Sequence, residues 1–266
     1  MKLKEIEMLK YLTKSAKTFF VLVLVSGSAW AIEIRNLSEA VDVAGKQRMF
    51  TQRMLKDYAM IGLENGFGHP KEDLAKIVSD FENHLDSLIA FNKDEATKES
   101  LLKVKRMWEP IKKSLQEKPQ KEKAGALQES LEALLKQSND AVELFAKQTG
   151  KVSGKIINIS GRQRMLSQRM ASLYMLKVWG VNDSEFQTKM KKAMNLFRTS
   201  LDTLMQSKMT TPEILVLLKN AKKSFMFFEI MNKSNSKFIP SLIFKKSNDM
   251  LRDMNTATGL YAAQEK

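Results

Sequence analysis

Apolar residues recur at alternating three- and four-residue steps along most of the chain, and no segment of four or more residues alternates convincingly as a strand. The clearest stripe runs from Val142 through Phe145, Thr149, Val152, Ile156 and Ile159, then Gln163, to Leu173, a coiled-coil-like seam suited to burial in a bundle. It predicts one long helix from near Lys121, past Gly150 and Gly154, to about Trp179-Gly180. Upstream, helices are predicted over roughly 33–64, 72–93 and 97–116, broken at Asn65-Gly66-Phe67-Gly68 with Pro70 and again at Pro119. Downstream, Asp183-Ser184, Thr211-Pro212 and Pro240 open three more; the Thr-Pro pair combines a capping hydroxyl with a helix-start proline. The fold class is all-α.

An internal repeat organises these helices. Ala44-Gly-Lys-Gln-Arg-Met-Phe-Thr-Gln-Arg-Met54 recurs as Ser160-Gly-Arg-Gln-Arg-Met-Leu-Ser-Gln-Arg-Met170, identical at seven of 11 positions. The register continues at an offset of 116: Tyr58 matches Tyr174, Phe81 matches Phe197, and Leu85-Asp86 matches Leu201-Asp202. Further on, Lys136-x-Ser-Asn-Asp140 resembles Lys245-x-Ser-Asn-Asp249 after a small length change. A duplication explains this. It divides the chain into a first module, 32–150, and a second, 151–266, each like a four-helix bundle and the two sharing the long central helix.

Residues 1–31 read as a targeting segment. Lys2, Lys4, Lys10, Lys14 and Lys17 precede the apolar run Phe19–Val25, and Ala29-Trp30-Ala31 supplies a small-x-small cleavage site. Export to the periplasm with cleavage after Ala31 is expected, the alternative being an inner-membrane anchor formed by the same segment. Composition agrees with long helices: Gly (11) and Pro (5) are scarce, and 17 Met suit a helical core. With no Cys, thiol catalysis and thiolate metal sites are excluded. The two His, His69 and His84, fall in different elements, so no His-based metal site is expected and both are assigned to the surface. No cofactor is expected. Net charge is +14, which attracts anions or anionic lipid; no basic run interleaved with aromatics points to nucleic acid.

The repeated motif carries the candidate chemistry. Arg48 lies between Ala44 and Thr51, and Arg164 between Ser160 and Ser167, each three residues after a glycine, Gly45 or Gly161. Small neighbours let another helix approach while leaving room beside the guanidinium. If the copies pack about a pseudo-two-fold axis, Arg48 and Arg164 face each other, and a small planar anion between them would turn repulsion into attraction. The alternative is a solvated or salt-bridged pair with a packing role. Gln47 and Gln163 interrupt the apolar seam and suit either register or ligand contact. Gln52, Arg53, Gln168 and Arg169 recur beside them as surface groups or supports.

These two motifs resemble the signature of the type IV pili methyl-accepting chemotaxis transducer N-terminal domain, the PilJ-type domain. A shorter likeness, Gly-x-x-Arg-Met-x-x-x-Arg, links them to the periplasmic sensor domains of nitrate/nitrite-responsive histidine kinases. The resemblance implies a periplasmic helical bundle that binds small ligands. In the nitrate sensors the arginine before Met binds the anion at a helix–helix interface with backbone near the glycine, which falls here on Arg48 with Gly45 and on Arg164 with Gly161, flanked by Thr51 and Ser167. Lys46 and Gln47 depart from the residues typical of those sensors. No signalling coiled coil or kinase core follows the second copy, so output on another chain is expected.

Two functions of different class follow. One is a periplasmic binding or sensor-accessory protein for a small oxyanion, nitrate or nitrite first. The other is an interaction module that docks on a type IV pilus or chemoreceptor assembly, with the motif as a packing determinant. The partners to expect are a small anion, a membrane receptor or sensor, and a second copy in a homodimer. Without a nucleophile–base pair, phosphate loop or metal cluster in the sequence, an enzyme is not expected.

Overall fold

The structure, a computed structural model, describes residues 32–150, 152–233 and 239–264. The targeting segment assigned to 1–31 lies outside the described residues. Eight helices account for nearly all of what is described, and no strand occurs among the described residues. They are α1 (Leu37–Gly62), α2 (Pro70–Phe91), α3 (Glu95–Gln116), α4 (Lys121–Gln148), α5 (Val152–Trp179), α6 (Phe186–Met205), α7 (Pro212–Lys233) and α8 (Pro240–Ala263). Local signals set several starts. Asn36 Oδ1 accepts from Glu39 N at 2.9 Å, and Asp94 Oδ2 from Thr97 N at 2.8 Å, capping α1 and α3. Pro70, Pro212 and Pro240 open their helices where no intrahelical N–H is needed.

Helices α1–α4 form one antiparallel bundle and α5–α8 a second, and α1 packs along α5 so that the two make one compact unit over residues 31–266. Equivalent contacts recur in both. Phe81 stacks on Trp108 at 4.4 Å between ring centroids, and Phe197 on Phe225 at 4.6 Å. Tyr58 Oη accepts from Gln120 N at 3.1 Å, and Tyr174 Oη from Ile239 N at 3.0 Å.

One expectation fails. The long helix shared between the modules does not exist: α4 ends at Gln148, and α5 begins only at Val152. Gly150 has φ of +62°, in the left-handed region that glycine enters without a Cβ clash and that cannot continue a right-handed helix. The seam read through 142–173 therefore belongs to two helices, each buried in its own bundle. His84 also departs from its surface assignment. It is buried, with its ring edge-on to Phe50 at 5.1 Å.

Candidate functional site

The motif sits where α1 and α5 cross. A Cβ placed on Gly45 would lie 4.0 Å from Gly161 Cα, so the two glycines let the backbones approach each other. Arg48 and Arg164, one turn further along each helix, are 1% and 0% exposed. That same point beside Gly45 is 3.0 Å from Arg164 Nη2 and 3.4 Å from Arg48 Nη2, so both guanidiniums end in one small volume. The expected facing arrangement of the two arginines is present.

Their partners follow an internal rule. Arg48 Nη1 donates to Asn139 Oδ1 and Asn158 Oδ1, both at 2.8 Å, and Nη2 donates to the Asn158 carbonyl at 3.3 Å. Arg164 Nη1 donates to Asp42 Oδ1 at 2.6 Å and Asn255 Oδ1 at 3.1 Å, and Nη2 to the Asp42 carbonyl at 3.0 Å. Asn139 and Asn255 are repeat equivalents on α4 and α8, within the arginine's own bundle. Asn158 and Asp42 are also equivalents, but each is reached across the α1–α5 interface. Such reciprocal contacts are those of two copies related by an approximate two-fold.

The symmetry breaks in charge. Arg164 meets a carboxylate, while Arg48 meets only amides and carbonyls. Burial opposes ionisation of Asp42, but the Arg164 guanidinium and Lys46, whose Nζ is 3.2 Å away, outweigh it and hold the carboxyl below its usual range. Burial, with repulsion from Arg162 and Arg164, pushes Arg48 down to about 9, which leaves it a cation at neutral pH. The Nε of each arginine has no hydrogen-bond partner.

The other motif residues tie helices together. Thr51 and Ser167, expected to flank a ligand, donate back to the Arg48 and Arg164 carbonyls at 2.9 and 2.8 Å. Gln47 Nε2 donates to the Phe81 carbonyl and Gln163 Nε2 to that of Phe197, at 3.0 and 3.2 Å, so these glutamines pin α1 to α2 and α5 to α6. Gln52 and Gln168 work across the interface: Ser172 Oγ donates to Gln52 Oε1 at 3.1 Å, and Lys56 Nζ to Gln168 Oε1 at 2.8 Å. Arg53 pairs with Asp73 and Arg169 with Glu132, in partly buried ion pairs rather than as free surface cations.

Sequence reasoning missed Asp42, Asn139, Asn158 and Asn255, although the offset of 116 pairs them. The later likeness between Lys136–Asp140 and Lys245–Asp249 misled, because the structural counterpart of Asn139 is Asn255, with no length change. Lys56 was missed as well. It is wholly buried, donates to Asn248 Oδ1 at 2.8 Å and stands 4.0 Å above the Phe244 ring. Burial pushes it down to about 8 against the pull of Asp57. No periodicity announces a lysine in that position. A cavity of about 260 Å³ lies between Gln128 of α4 and the α5–α6 turn, and no motif residue lines it.

The glycine crossing gives a direct check. Gly→Ala inside a helix ordinarily adds about 0.5–1 kcal/mol of stability. At Gly125, where a Cβ meets nothing within 4 Å, that gain is expected. At Gly45 the new methyl meets both guanidiniums, and a net loss of about 1–3 kcal/mol is expected. Urea unfolding of Gly45→Ala and Gly125→Ala measures both; equal gains would mean the crossing is not tight.

Fold and site together define an all-helical tandem repeat whose two copies are joined through a buried, paired-arginine crossing. The model of the type IV pili methyl-accepting chemotaxis transducer N-terminal domain, PilJ, matches residues 32–143 and 145–222, stretches that fall largely on the first and second repeats. The chain belongs to this family. No curated protein and no solved structure matches it.

Proposed function

We propose that the chain is a non-enzymatic module that docks on a type IV pilus or chemoreceptor assembly, and that the arginine crossing fixes how its two repeats present themselves to that partner. The observation that carries this reading is that the Nη hydrogen bonds of both guanidiniums go to groups of the chain itself while both side chains are buried. The arginines thus serve as ties between bundles, and the family description supplies the kind of assembly. Export to the periplasm belongs to the same reading, on the charged start and short apolar run.

One observation favours anion binding as a second reading: the hydrogen bonds of Arg48 among the described residues go to amide and carbonyl oxygens and not to a carboxylate, and the Nε of both arginines is unpartnered. A small oxyanion such as nitrate or nitrite would then enter only when the bundles part. Cross-linking in the producing cell, followed by mass spectrometry, is expected to recover pilus or chemoreceptor components. Recovery of neither, together with a Tm raised by several degrees on adding nitrate or nitrite, would replace docking by anion binding.

A further inference from the structure

Helices α3 and α7 occupy equivalent places, each packed on its bundle neighbours away from the α1–α5 crossing, but their outer faces differ in chemistry. Trp108 and Phe225 mark the register, since each stacks on the equivalent phenylalanine of its repeat. Counted from them, the outer stripe of α3 is Glu99, Leu102, Lys103, Arg106, Glu109 and Lys113, a solvated face. The same stripe on α7 is Val216, Lys219, Asn220, Lys223, Met226 and Ile230. Val216, Met226 and Ile230 are 57%, 52% and 61% exposed, with Phe227 half-buried between them. Large apolar side chains gathered on an exposed helix face and rimmed by polar residues mark an interaction site.

Charge is divided in the same way. Residues 32–150 hold 19 basic and 20 acidic residues, whereas 151–266 hold 20 basic and 8 acidic. One copy is thus nearly neutral and the other strongly cationic. Lys219 and Lys223, within the apolar stripe, make no ion pair among the described residues, and Lys222 beside them pairs only with the half-exposed Asp202 at 3.4 Å. A second copy of the chain would set these lysines against each other. A flat anionic surface satisfies both observations: lysine stems lie along it with ammoniums at the phosphates, while Val216, Met226 and Ile230 enter the acyl boundary.

We infer that the outer face of α7 is a docking surface for an anionic phospholipid bilayer, with Lys219 and Lys223 meeting the headgroups and Met226 and Ile230 inserted. The contact is interfacial, because no helix among the described residues is long and apolar enough to cross a membrane. It does not depend on the pilus or chemoreceptor reading. A chain without Cys allows a clean test: Met226→Cys, labelled with an environment-sensitive fluorophore, reports this face alone even in the full chain, whose Phe19–Val25 run would bind vesicles independently. With vesicles of phosphatidylcholine and phosphatidylglycerol, the label is expected to shift blue with a severalfold rise in intensity. A label at Leu102→Cys on α3 is expected not to respond. Lys219→Glu with Lys223→Glu, provided helicity is unchanged, is expected to weaken the vesicle affinity read at position 226 by about tenfold or more. A silent 226 label on protein that sediments with the vesicles overturns the inference, as does an equal response to phosphatidylcholine alone. A blue shift that grows with protein concentration before vesicles are added also overturns it, and assigns the face to contact between copies.

Discussion

Asp42→Ala is expected to lower the unfolding free energy by about 3–5 kcal/mol, because it leaves the fully buried Arg164 guanidinium without its carboxylate. The cost of a buried ion pair resides mainly in breaking it. The surviving cation keeps its desolvation penalty, and Asn255 alone remains to receive Nη1 beside the Asp42 backbone carbonyl. Asp42→Asn is expected to cost less, about 1–3 kcal/mol, since an amide oxygen can still accept as Asn158 does for Arg48. Adding Arg164→Met to Asp42→Ala is expected to recover much of the loss, because the stranded charge is removed with its partner. Denaturant midpoints of the three variants at pH 7 decide this. An Asp42→Ala protein as stable as wild type would mean that water reaches Arg164 and that the crossing is open. Arg48 already lives with amides in place of a carboxylate, so the two halves of the crossing are unequal in strength. A force that parts the bundles should loosen the Arg48 side first.

The parts of this arrangement that were legible in sequence are those written as periodicity or as repetition. Three- and four-residue spacing gave helices close to those found, and the duplicated Gly-x-x-Arg put both arginines at one crossing. What failed was information held between segments. Gly150 falls between Thr149 and Val152, where the three- and four-residue steps of the seam continue, and its left-handed backbone marks a break that the spacing does not show, since a seam is read equally well through one helix or two consecutive ones. Thr51 and Ser167 were read as small residues flanking the arginines, and their hydroxyls turn to the backbone carbonyl three residues back, a partner always within reach of a hydroxyl inside a helix. Asp42 and Asn158 each precede the arginine of their own copy by six residues, and nothing in one sequence says that each reaches the arginine of the other copy. The repeat offset held that information for Asn139 and Asn255. A local likeness of five residues at a different offset obscured it, which shows that a register carried by many matches outweighs a short run of identical ones.

His84 is expected to make the protein acid-sensitive. It was assigned to the surface once no His-based metal site was expected, yet it packs against Phe50 with its Nδ1 unpartnered. Burial first, and then the Lys46 cation, hold its pKa down to about 4, with Asp80 and Asp42 pulling the other way and Arg164 adding to the depression. An unfolded chain protonates this imidazole near pH 6.5, whereas the folded chain resists until about pH 4. Across that window the unfolded state binds more protons, so stability falls as pH falls, by about 1.4 kcal/mol per unit and roughly 2–3 kcal/mol from pH 6.5 to 4.5. Asp57 acts in the opposite sense: burial raises its pKa well above the usual carboxylate range, so the folded state takes up its proton first and gains stability on acidification. Asp42 and Asp73, both held low, withdraw their contributions only below the usual carboxylate range. His84→Phe keeps an aromatic edge against Phe50 and leaves these carboxyls in place, so the difference between the two proteins isolates the imidazole. Relative to wild type, the variant is expected to gain about 2–3 kcal/mol between pH 7.5 and pH 4.5, read from urea unfolding at closely spaced pH values. Parallel pH profiles for the two proteins would mean that His84 protonates freely in the fold and that the packing around it opens to water.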